Sequence, residues 1–148
     1  MLDFEQFEII NDSLVVRIIE DMRENPFPEF LGLRFEIIRK GFSRMRMPYR
    51  REFCNSRDII HGGATASLID TAVLGALRSD GLMNKYVTTD LKVSYLAAAH
   101  GHDLLADATV RRRGNSMVFI SIDVFEDTTE RIVAHGEATL MVVPKSKL

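Results

Sequence analysis

The sequence predicts an α+β domain: one curved antiparallel sheet of about six strands wrapped around a single central helix, with an extra amphipathic helix at the N-terminus. Three observations lead there. From Ala64 to Leu77 the chain is nearly all small or apolar, so a helix here is buried on most of its circumference. From Tyr86 to Val142 the apolar residues recur with a period of two, the period of a strand with one face on a core. Near the N-terminus the spacing is three and four, the period of a helix with one apolar stripe.

Taken in order, Phe4, Phe7, Asn11, Leu14, Ile18 and Met22 define the first helix, over residues 1–25, ended before Pro26 and Pro28. Leu31 to Ile38 and Phe42 to Pro48 read as two strands with a turn at Lys40-Gly41. In the second of these, Arg44 and Arg46 alternate with Met45 and Met47, which predicts a wet basic face and an apolar one. Tyr49 to Ile60 is a polar loop that feeds the central helix. Gly75 inside that helix costs about 1 kcal/mol relative to Ala and therefore suggests a close approach by the sheet. Four alternating segments follow: Tyr86 to Tyr95, Leu104 to Arg111, Val118 to Phe125, and Ile132 to Val142, the last closed by Pro144. Their separators read as short turns, which predicts a four-strand antiparallel meander.

At 148 residues this is one domain, 1–148, with the sheet and central helix in 31–144. A net charge of -2 supplies no pull towards nucleic acid. The acidic first helix, single and followed by Pro-Phe-Pro, is not part of a helix-turn-helix. With Cys54 as its lone cysteine the chain forms no internal disulfide. No apolar run is long enough for a membrane span, so a cytoplasmic protein without membrane association is expected. His100 and His102 offer two ligands in one turn, too few for a metal site, and no cofactor is called for.

Asp70 conflicts with its surroundings. It lies among Leu68, Ile69, Ala72 and Val73, where an unpaired buried carboxylate costs several kcal/mol. It is either a satisfied structural group or a chemical one. At the start of the same helix, His61-Gly62-Gly63 places backbone N–H groups at the positive end of the helix dipole, with glycines that admit a ligand closely.

The segment N-S-R-D-I-I-H-G-G-A-T-A-S-L-I-D-T-A, with V-T-T-D-L-K-V-S-Y-L-A-A-A after the helix, resembles the signature of hotdog-fold acyl-CoA thioesterases, in particular their phenylacetate-pathway branch. The pattern is an Asn, a His-Gly-Gly six residues on, and an Asp nine residues after the His, met here by Asn55, His61 and Asp70. The similarity covers about Leu31 to Val143. One position departs: Asp58 stands where the family usually has Gly, so the turn must accept an Asp or take another path.

The resemblance implies a hotdog fold and hydrolysis of an acyl-CoA thioester with an aromatic or medium-chain acyl group. It makes Asp70 the nucleophile or the general base, and the Gly62 N–H the oxyanion donor with His61 polarising beside it. Asn55 would hold water or thioester, and Thr88 would bond the water or the carboxylate. Gly63 would contact the substrate; Arg111, Arg112 and Arg113 read either as a solvated turn or as contacts to CoA phosphate or ribose. Two other readings remain on the same fold: an acyl-thioester hydratase or dehydratase, and a non-catalytic acyl-CoA binding module.

Helix geometry adds a constraint. Nine residues from His61 to Asp70 turn the helix by about 900° and rise ~13 Å, so the two lie on opposite faces and well apart. If both act on one thioester, they meet across a two-fold axis, with Asn55, His61 and Gly62 of one subunit facing Asp70 and Thr88 of another. The resemblance implies the same homodimer, paired again into a homotetramer.

Overall fold

The structure, a computed structural model, describes residues 1–143; Pro144, expected to close the last strand, lies outside them. Among the described residues no helix is long and apolar enough to cross a membrane.

The N-terminal amphipathic helix is present but shorter than the periodicity suggests. Phe4–Gln6 forms a single turn, and α1 runs over Asp12–Arg23. Asn11, expected inside the helix, instead caps it: its side chain accepts the Leu14 N–H at 2.8 Å and satisfies an otherwise unpaired donor. Pro26 and Pro28 do not form a plain linker. Pro26 opens a short helix, α2 (Pro26–Leu31), at the position where its missing N–H costs nothing. Gly32, at φ +69°, ends α2, so strand β1 begins at Arg34 rather than Leu31.

Strand β1 (Arg34–Arg39) turns at Gly41, φ +75°, into β2 (Phe42–Met47). The central helix α3 spans Gly62–Arg78. After it come β3 (Lys85–Tyr95), β4 (Leu104–Arg113), β5 (Met117–Glu126) and β6 (Ile132–Val143). All six strands form one antiparallel sheet in the order β1-β2-β4-β5-β6-β3.

This order corrects the four-strand meander. Only β4, β5 and β6 follow one another in space; β3 crosses to the far edge and pairs with β6. The connection from β3 to β4, residues 96–103, is not a tight hairpin turn.

Helix α3 lies on the concave face and packs chiefly against β2 and β4. Leu68, Ile69, Ala72, Val73, Ala76 and Leu77 are buried there. The approach at Gly75 is as close as its presence suggests: a Cβ on it would stand 2.6 Å from the Ser43 Cβ and 2.7 Å from the Phe35 ring. Ser43, wholly buried on β2, donates to the Ala72 carbonyl at 2.8 Å and accepts the Ala76 N–H at 3.0 Å, fixing the helix to the sheet.

The convex face differs from the expected wet basic stripe. Arg44 is buried and grips Asp107, also buried, through two bonds of 2.6 and 2.7 Å. The segment before α1 covers them: Leu2 N–H reaches Asp107 at 3.3 Å, and the Arg44 guanidinium lies 5.4 Å from the centre of the Phe4 ring. Arg46 is partly buried among Glu36, Asp103 and Asp127. Paired in this way, an arginine leaves water without stranding its charge.

Candidate active site

The loop before α3 is built by backbone hydrogen bonds. His61 N–H donates to the Phe53 carbonyl at 2.8 Å, and Ile60 N–H to the Ala99 carbonyl at 3.0 Å. Asn55 closes the turn: its N–H donates to Ile59 O at 2.8 Å, and its Oδ1 accepts the Arg57 N–H at 2.8 Å. The amide nitrogen of Asn55 has no partner among the described residues and borders an open cleft. Asp58 adopts φ +58°, the left-handed conformation that favours glycine and that Asp tolerates. The turn thus accepts an Asp in a conformation that glycine takes freely, and the Asp58 carboxylate pairs with Arg51 at 2.9 Å.

His61 is the N-cap of α3, and its Nδ1 accepts the Gly63 N–H at 2.9 Å. That bond fixes the ring: Nδ1 carries no proton, so the neutral imidazole presents Nε2–H as a donor. The Gly63 N–H is thereby taken, and Gly63 serves to hold His61. The Gly62 N–H, in the first turn of the helix, has no acceptor among the described residues. Its carbonyl accepts the Tyr95 hydroxyl at 2.9 Å, and a Cβ on Gly62 would stand 3.0 Å from the Tyr95 ring. Tyr95 thus walls the free N–H. Tyr95 is the aromatic of the segment V-T-T-D-L-K-V-S-Y-L-A-A-A, to which the sequence alone assigns no role.

Asn55, Gly62 and Tyr95 line a cleft of about 400 Å³ with Ile59, Ala97 and Ala99. Asp70 and Thr88 line a different cavity, of about 410 Å³. Asp70 is exposed on α3, while Ile69 before it and Ala72 after it are buried. The Thr88 hydroxyl on β3 donates to Asp70 Oδ1 at 2.9 Å and leaves Oδ2 open. Within one protomer the five candidate catalytic residues therefore form two groups: Asn55, His61 and Gly62 at one end of α3, Asp70 and Thr88 halfway along it.

The three arginines line neither cavity. Arg113 is a structural tie, donating to the Leu77 carbonyl at 2.5 Å and the Tyr86 hydroxyl at 3.2 Å, with Asp80 at 2.9 Å. Arg111 Nε donates to Ser121 at 2.5 Å. Arg112 is exposed, with no partner among the described residues. His102 Nδ1 is bonded to Thr128 at 2.8 Å, and His100 gives its backbone N–H to Glu126 at 3.1 Å. Among the described residues no three His, Cys, Asp or Glu side chains gather as a metal site.

Comparison with known proteins gives a consistent picture. Residues 58–133 match the model of the thioesterase superfamily. A candidate esterase of Halobacterium salinarum is 41% identical over 120 residues, covering 77% of each chain. Human acyl-coenzyme A thioesterase 13 is 30% identical over 94 residues, 63% of this chain and 67% of that protein. Among solved structures, the PaaI protein of the E. coli phenylacetic acid degradation operon superposes with a TM-score of 0.81 over 89% of this chain and 95% of that one, at 24% identity. The six-stranded sheet around α3 is a hotdog fold.

Proposed function

This chain belongs to the thioesterase superfamily and is a thioester hydrolase, and from that premise we propose that it hydrolyses aromatic or medium-chain acyl-CoA at a site shared by two subunits. The observation that carries this reading is that Asn55 and Gly62 line one cavity while Asp70 and Thr88 line another, so the donors and the carboxylate do not meet within one protomer.

The free edge of the sheet supports the dimer. Strand β3 is eleven residues long, among the described residues pairs only with β6, and exposes Val87 and Tyr95. An open edge of that length is a template for another strand. Thr88, bonded to Asp70, lies near one end of β3, and Tyr95, bonded to Gly62, at the other. Two β3 strands paired antiparallel about a two-fold axis near Leu91–Lys92 would set Thr88 of one copy beside Tyr95 of the other. Each of the two resulting clefts would hold one Asp70 and one Gly62 N–H. A further pairing of dimers into a tetramer is part of the same proposal.

In such a cleft the thioester carbonyl oxygen takes hydrogen bonds from the Gly62 N–H and His61 Nε2–H. Both strengthen as charge develops on that oxygen. Asn55 holds the thioester or the water through its free amide nitrogen. Asp70, oriented by Thr88 through one oxygen and open at the other, acts as general base. A water oxygen bonds the carbonyl carbon while its proton passes to Asp70. Collapse of the intermediate breaks the C–S bond, and Asp70 returns the proton to the leaving CoA sulfur. The same carboxylate, with one oxygen open, could instead attack the carbonyl directly and form an acyl-enzyme anhydride that water then hydrolyses. Arg112, exposed and without a partner among the described residues, is the arginine left free for CoA phosphate, whereas Arg111 is bonded to Ser121 and Arg113 ties the chain to Leu77 and Asp80.

Thiol release from a panel of acyl-CoAs tests the reading, with turnover of phenylacetyl-, benzoyl- or octanoyl-CoA as the expected result. Tight binding without thiol release, or hydration of an enoyl thioester, would contradict it.

A further inference from the structure

The cavity beside Asp70 is a groove with two unlike ends. At one end the Asp70 carboxylate is bonded to Thr88. The walls then run along one face of α3 through Val73 and Leu74, with Pro28 and Phe27 of α2 on one side and Leu140 of β6 on the other. At the opposite end stands Arg78, whose Nη1 is 2.8 Å from Asp21 on α1. Asn25 lies at this end too, its amide donating to the Asp21 carbonyl at 2.9 Å. Tyr86 marks the same end on the sheet, since Arg113 joins its hydroxyl to the Leu77 carbonyl. The groove is therefore acidic where the reaction occurs, apolar along its middle, and closed by an ion pair.

We propose that the Arg78–Asp21 pair is the stop that sets acyl chain length, which makes Arg78 a specificity-determining residue; the inference rests on thioester hydrolysis at Asp70. An apolar chain that begins at Asp70 and follows α3 runs past Val73, Leu74, Phe27 and Leu140 before it reaches the pair. A further methylene would then strip water from two charges and return no hydrogen bond. The side chains of Arg78 and Asp21 are 19% and 37% exposed, so the pair still holds water that an apolar chain end would remove, and the Arg78 Nε–H is already buried without an acceptor among the described residues. The eight residues from Asp70 to Arg78 rise about 12 Å, room for roughly eight to ten carbons at ~1.3 Å each. Phe27, 56% exposed on α2, is the roof that an acyl group would cover.

The test is a chain-length profile of thiol release on saturated acyl-CoAs from four to sixteen carbons, for the wild type, Arg78→Met and Leu74→Trp. The wild type is expected to peak at about eight to ten carbons, with kcat/KM about tenfold lower at fourteen. Arg78→Met keeps the length of the side chain but removes the charge. It should move the peak up by two or more carbons and recover about tenfold on the fourteen-carbon substrate. Leu74→Trp blocks the middle of the groove and should move the peak down. A folded Arg78→Met with the wild-type profile would overturn the proposal. Should Arg78→Met not fold, an unshifted Leu74→Trp profile would overturn it instead. A wild type that releases no thiol from any chain length would overturn thioester hydrolysis at Asp70 itself, an outcome distinct from an unshifted profile.

Discussion

Thr88 on β3 donates its hydroxyl to Asp70 on α3 at 2.9 Å, joining an exposed edge strand to the middle of the central helix. The bond fixes one oxygen of a carboxylate whose helical neighbours are buried and whose other oxygen is open. Replacing Asp70 with Asn keeps the shape and removes the base. Turnover should fall by about 10³-fold, while the thermal midpoint stays within about 2 °C because the side chain is exposed. Thr88→Val should lose about tenfold in kcat, and Thr88→Ser should recover most of it. Thiol-release kinetics beside thermal melts would check both.

Gly75 carries a prediction about the fold alone. A Cβ there overlaps Ser43 and Phe35 at 2.6 and 2.7 Å, and neither is the loose end of a long chain. Gly75→Ala should therefore destabilise by about 2 kcal/mol, despite the helix propensity gained. Urea unfolding followed by circular dichroism would measure it.

Glu126 predicts the response to acid. Burial alone would raise its carboxyl, but the Arg131 guanidinium, the His100 N–H and the Thr129 hydroxyl hold it down at about 2, against an ordinary value of 4.5. The folded state prefers the charged form, so this contribution is complete above about pH 4.5 and is lost as the pH falls towards 2. Its size is on the order of 2 kcal/mol. The loss should loosen the 98–100 turn first, because Arg131 also holds the Ala98 carbonyl at 2.6 Å. Thermal melts between pH 5 and pH 2 should show the steeper fall for the wild type, and Glu126→Gln should flatten that part of it.

Arg112 gives a prediction about the nucleotide end of the substrate. If it contacts phosphate, Arg112→Ala should raise KM for acyl-CoA by about tenfold and leave the acyl-pantetheine thioester unaffected. The wild-type KM for acyl-CoA should also rise with salt, and that of the variant should rise less.

Much of this was legible in the sequence because the responsible physics is local. The apolar run of α3 and the small residues facing the sheet imposed requirements that the structure meets at the expected place, but Asp70 itself, expected among buried neighbours, is exposed on the helix, because its position on α3 points away from the sheet-facing side. What escaped depended on partners distant in the chain. Arg44 looked like a wet arginine because nothing near it reveals that β2 sets it opposite Asp107. The position of β3 was missed because its alternation matches that of its neighbours. One signal was available: eight residues separate β3 from β4, against three and five at the later turns (residues 96–103, 114–116 and 127–131). The α2 roof over the groove is hidden in the sequence because Pro26 both ends one helix pattern and can open another. The separation of His61 from Asp70 follows from helix arithmetic: His61 caps the start of α3 and Asp70 lies halfway along it.

The central claim is that each site takes its carboxylate from one subunit and its donors from another. Mixing two impaired variants, Asp70→Asn and His61→Ala, tests it directly after co-refolding in equal amounts. A shared site makes half of the dimers mixed, each with one intact site, so about a quarter of wild-type activity should return. Activity that stays at the average of the two variants would contradict the claim, for it would mean that each subunit carries its own complete site.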